Sequence, residues 1–124
     1  MMDLGARLEA AVLSLAGAGT VKDRLIDAYH AHLADVHESD LPLDMQDEFA
    51  ALIRALHSAP VLRGDDVVRA SVRKLSNEEA ARYAALVVKL FGMLAGARHA
   101  VSARSARAVP PLLKLLSDSA LVNS

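Results

Sequence analysis

Apolar residues return every three or four positions along most of this chain, the spacing of a single buried helix face. Leu4, Leu8, Ala11, Val12 and Leu15 set out the first such face, with Asp3 placed to cap its start and Gly17 and Gly19 placed to end it. Thr20 is the next cap, and Val21, Leu25, Ile26, Tyr29, Leu33 and Val36 follow as the most regular stripe of the sequence. This spacing predicts a second helix from Val21 to about His37.

Glu38 to Pro42 interrupts the pattern, and Pro42 suits the first position of a third helix because its fixed φ is helical and its missing N–H is not needed there. Asp44, Asp47 and Glu48 favour the dipole of that N-terminus, and Met45, Phe49, Leu52, Ile53 and Leu56 carry the period on until Ser58-Ala59-Pro60 stops it. After Gly64, either Asp65 or Asp66 caps a short fourth segment bearing Val67, Val68, Val72 and Leu75. Its β-branched valines give it the weakest helical propensity of the series. Ser76 and Glu79 then form a capping box, and Ala80, Tyr83, Ala84, Val87, Phe91 and Leu94 define a long fifth helix.

Beyond Gly96 the character changes: Arg98, His99, Ser102, Arg104, Ser105 and Arg107 alternate with small residues and lead to Pro110-Pro111, which reads as a linker or a fraying helix. Leu112, Leu113, Leu115 and Leu116 form an apolar cluster that docks on the bundle, docks on a partner, or ends the chain as a tail. The expected architecture is an all-α, single-domain bundle of five helices over residues 1–96. Residues 97–124 would add a basic segment and an apolar tail or sixth helix near 111–122. No internal repeat is found.

A length of 124 residues suits one domain with a proper core. The apolar fraction of 53% comes mainly from Ala, Leu and Val, a bias toward helix over sheet. Phe49, Phe91, Tyr29 and Tyr83 are the aromatics, too few for the stacking platforms of ordinary single-strand nucleic-acid binding. Cysteine is absent, which excludes disulfides, thiolate metal sites and cysteine nucleophiles. A cytoplasmic location is the expectation. Ala10 to Ala16 and the Ala16-Gly17-Ala18 triplet resemble a signal peptide, but Asp3 and Glu9 fall where such a segment is basic or apolar. No run approaches the roughly 20 apolar residues of a membrane span.

Formal charge is divided along the chain. Residues 1–66 hold 12 acids and 5 bases, whereas residues 67–124 hold 3 acids and 9 bases. This division bears on partners and self-association rather than on fold.

Candidate chemistry is sparse. On the second predicted helix Asp23, Asp27, His30 and His37 share the side away from the apolar stripe, yet seven residues separate the two histidines, roughly 10 Å along a helix and too far for one ion. A solvated face with local histidine–carboxylate pairs is the simpler expectation. His32 falls at the edge of the stripe and is expected to be partly buried, and His57 is placed to meet the free carbonyls ending the third helix. The fourth and fifth helices suggest a helix-turn-helix, but Glu78 and Glu79 would sit where DNA phosphates approach. Phosphate loops, nucleophile elbows and paired zinc histidines are missing from the sequence.

The pattern therefore points to a non-catalytic protein-interaction or regulatory module, with a protein partner or a second copy of itself and no cofactor or metal. Arg98, Arg104, Arg107, Leu112, Leu113 and Leu116 are the candidate partner contacts. A nucleic-acid-associated regulator using the basic half, and a small hydrolase or metal-dependent enzyme using His30 and His32, are the alternatives.

Overall fold

The structure, a computed structural model, describes residues 3–60 and 66–107, with side chains described through residue 96. Five α-helices follow in order: α1 (Leu4–Leu15), α2 (Val21–Ala28), α3 (Leu43–Leu56), α4 (Val67–Lys74) and α5 (Asn77–Arg107). A π turn (Tyr29–Leu33) extends α2, and a 3₁₀ turn (Glu38–Asp40) precedes α3. The described residues contain no strand. The fold is all-α, as the periodicity predicts.

The expected caps form. Asp3 accepts from the Ala6 N–H at 2.7 Å, Thr20 from Asp23 at 3.1 Å, and Asp66, rather than Asp65, from Val68 and Arg69. Ser76 and Glu79 close a reciprocal capping box, with bonds of 2.8 and 3.0 Å. Gly19, at φ 101°, supplies the left-handed residue that turns the chain from α1 into α2. Arg24 of α2 reaches back to the carbonyl of Leu15, satisfying one of the acceptors orphaned at the end of α1.

The buried faces match the apolar stripes. Leu8, Ala11 and Leu15 meet Leu25, Ile26, Tyr29 and Leu33, and the core continues through Met45, Phe49, Leu52, Leu56, Val68, Val72, Ala80, Val87, Leu90 and Leu94. α1 packs on α2 and the π turn, while α4 packs on both α2 and α3. Lys89 of α5 pairs with Glu48 of α3 at 2.8 Å. Ser71 is the buried polar side chain of this core; its hydroxyl donates to the Val67 carbonyl at 2.7 Å and accepts from the Ala59 N–H at 2.9 Å, tying the end of α3 to α4.

One boundary differs from the pattern, and another is decided between two readings. The second helix does not stay α-helical to His37: it changes to a π turn at Tyr29 and ends before Val36. Beyond Gly96, where the pattern left a linker or a fraying helix open, the backbone is helical and α5 continues to Arg107. A glycine ends a helix by turning left-handed, and Gly96 does not; in a helix interior it costs only about 1 kcal/mol against Ala, which the surrounding alanines and arginines tolerate. Backbone contacts divide the chain into Met1–Leu94 and Ala95–Ser124, and the described part of the second unit is the final stretch of α5. The predicted sixth helix and the Leu112–Leu116 cluster lie outside the described residues.

Candidate functional site

The π turn shapes the most distinctive site. The Ala34 N–H donates to the Tyr29 carbonyl at 2.9 Å, five residues back instead of four. Tyr29 and Leu33, at its two ends, both face the core, at 9% and 1% exposure. Turns of this kind recur at functional sites because they re-aim side chains without breaking the helix.

Tyr29 faces His57, the residue that ends α3. The two rings meet edge to face with centroids 5.5 Å apart, and the hydroxyl lies 3.5 Å from Nε2. His57 Nδ1 is 2.9 Å from the Ile53 carbonyl, a group that can only accept, so Nδ1 carries the proton and Nε2 is left to accept from the Tyr29 O–H. This is the carbonyl partner expected for His57. Burial, and secondarily the charge of Asp35, hold the Tyr29 hydroxyl above its ordinary pKa, so it stays a neutral donor.

Between the π turn and α3 lies an open groove of about 470 Å³. Val36, Phe49, Ala50 and Ile53 give it an apolar floor. His37, Glu38, Arg54 and His57 line it with polar groups. Arg54 and His57 share a face because they stand three residues apart on one helix, and the loop after the π turn brings His37 to the same groove. The sequence pattern assigned Tyr29 to the core and His57 to a helix end; it did not join them, and it did not single out Arg54. The signal that could have found the groove was a basic residue and a histidine at (i, i+3) beside Phe49 and Ile53, on a helix otherwise rich in acids.

The histidine face of the second helix is corrected by the structure. His37 has left the helix for extended backbone, so it does not share a face with Asp23, Asp27 and His30. His30 does not pair with a local carboxylate either. Its Nε2 lies 2.9 Å from Oδ2 of Asp66, thirty-six residues away, because α4 packs on α2 and presents its cap there. The same Asp66 caps α4, and these bonds, the Arg69 N–H foremost, hold its carboxyl below the ordinary range. His32 is half-buried, as its position at the stripe edge predicts. Among the described residues no three histidine or carboxylate side chains gather as metal ligands.

A second groove, of about 500 Å³, follows one face of α5 along Arg82, Tyr83 and Leu86. Glu79 and Lys89 at its edges already serve the Ser76 cap and the Glu48 pair. Hydrogen bonds from Ser76 hold the Glu79 carboxyl low, which keeps the first turn of α5 anionic. Arg98, Arg104 and Arg107 fall on the helical backbone of α5, and Leu112, Leu113 and Leu116 lie outside the described residues. No described helix is long and apolar enough to cross a membrane. No family model, curated protein or solved structure matches this chain.

Proposed function

We propose that this chain is a non-catalytic interaction module that holds a segment of a partner protein in the groove between the π turn and α3. The observation that carries this reading is the make-up of the groove, an aromatic and aliphatic floor under a polar rim, which is how recognition surfaces combine affinity with orientation. Its Tyr29–His57 pair fits a recognition role: Nδ1 is committed to the Ile53 carbonyl, and the hydroxyl stays protonated. The opposed charges of the two halves support a charged partner, and a second copy of this chain is one.

The test is site-specific photo-crosslinking in the native cell. A photoreactive residue in place of the exposed Ala34, which lines the groove, should give a discrete adduct, and the same residue in place of the exposed Asp23, outside the groove, should not. Ile53→Glu, a charge on the half-buried floor, should remove the Ala34 adduct while helical circular dichroism persists. Equal labelling from both positions, or none from Ala34, contradicts the reading.

A further inference from the structure

Two backbone geometries suit the sequence between Tyr29 and His37. Tyr29, Leu33 and Val36 keep the spacing of one helix face, so an unbroken α-helix to His37 would turn the same side chains inward that the structure buries. From Val21 to His37 there is neither Gly nor Pro to end such a helix. The Ala34 N–H nevertheless bonds to the Tyr29 carbonyl rather than to that of His30, and the backbone is extended by His37. Where local pattern and burial leave two geometries open, contacts from other elements decide between them.

The best-placed of these contacts is made by His30. Its Nε2 lies 2.9 Å from Oδ2 of Asp66, and because a carboxylate only accepts, Nε2 carries the proton and donates. Oδ1 of the same Asp66 accepts from the Val68 and Arg69 N–H groups at 3.1 Å, so the acceptor offered to His30 is fixed by the cap of α4. The His30 ring also stands edge to face on Tyr29, with centroids 5.6 Å apart. The Tyr29 hydroxyl, at 3.5 Å from His57, makes the longer of the two bonds that tie this turn to other helices. We infer that the His30–Asp66 bond is a latch that selects the π turn, and that its release lets the segment reset to a regular α turn, with the Ala34 N–H on the carbonyl of residue 30. Ala34, Val36 and His37 line the groove beside α3, so the latch sets the shape of that groove from the cap of α4, outside it. As regulation of the groove this rests on the interaction reading above; as a property of the chain it does not.

The test reads scalar coupling across the Ala34 hydrogen bond by nuclear magnetic resonance, on the whole isotope-labelled protein. The parent should show coupling from the Ala34 nitrogen to the Tyr29 carbonyl. His30→Ala, at an exposed position, should lose it and gain coupling to the carbonyl of position 30. His30→Gln, which keeps a donor, should retain the Tyr29 coupling, and so should Thr20→Ala, which removes the cap at the other end of α2. Tyr29 coupling that survives in His30→Ala overturns the inference. Its loss with no new coupling overturns it too, because the turn then frays instead of resetting. The same change in Thr20→Ala would mean a general loosening, and the same change in His30→Gln would assign the effect to ring packing on Tyr29; either overturns the latch. None of these outcomes bears on the crosslinking experiment, which decides separately whether the groove holds a partner.

Discussion

Replacing Ser71 by Ala removes a hydroxyl that joins the segment after α3 to α4, and its cost can be worked from the bonds it makes. Ser71 is fully buried, at 0% exposure, and Ala59, whose N–H it accepts, is 5% exposed. The variant leaves that N–H buried without an acceptor, a loss of about 1–3 kcal/mol. The Val67 carbonyl loses its bond from the hydroxyl but keeps its place in the α4 hydrogen-bond ladder, so its contribution is small. Alanine's better helix propensity offsets a few tenths of a kcal/mol. The net expectation is about 1.5–2 kcal/mol of destabilisation. With a urea slope of about 1–2 kcal/mol per molar for a chain of this size, the midpoint should fall by roughly 1 M with the slope unchanged. Native-state hydrogen exchange gives a local check, because the Ala59 amide should lose protection by more than the global change accounts for. Ser58→Ala, at an exposed position of the same segment, is the control and should stay within about 0.5 kcal/mol of the parent. A Ser71→Ala cost below about 0.5 kcal/mol would refute the argument that this hydroxyl ties the two helices.

Other predictions follow from single residues. Gly19→Ala should lower the melting temperature, by about 1 kcal/mol or more in stability, because Gly19 holds φ 101°. Gly92→Ala should raise stability by about 0.5–1 kcal/mol, since the site is an exposed helix interior with open space for a Cβ; the same sign for both glycines would contradict the backbone argument. Thr20→Ala should cost about 1 kcal/mol through loss of the α2 cap, measured by denaturant unfolding. Asp66, whose carboxyl is held below its ordinary 3.8 first by the Arg69 N–H and also by His30, contributes stability that is complete above that ordinary value and is lost as pH falls through the lower native one. Asp66→Asn keeps a capping side chain without the charge, so the parent's advantage over it should shrink below about pH 4. An advantage unchanged down to pH 2 would contradict the assignment.

Periodicity made most of the fold legible. The stripes from Leu4 to Leu94 are the buried faces, and the caps at Asp3, Thr20, Asp66 and Ser76 stand where short polar side chains precede them. The π turn was not legible, because a one-residue widening changes which residues face inward without altering composition, and Tyr29 and Leu33 read as core in either geometry. Nor was the end of α5, since Gly96 carries no local sign of whether it will turn left-handed. The site was less legible than the fold. His30–Asp66 and Tyr29–His57 join residues 36 and 28 positions apart, and such pairings are set by how helices pack. His57's bond to the Ile53 carbonyl, a local contact within α3, was readable from its place at the helix end.

Intermolecular nuclear Overhauser contacts put the groove to its most direct trial. The labelled protein would be observed in complex with the unlabelled partner that an Ala34 crosslink identifies. The account predicts contacts from the Phe49 ring and the Ile53 methyl groups to aliphatic protons of that partner. Contacts that instead start from exposed Leu13 of α1 or Val88 of α5, with Phe49 and Ile53 silent, would contradict it.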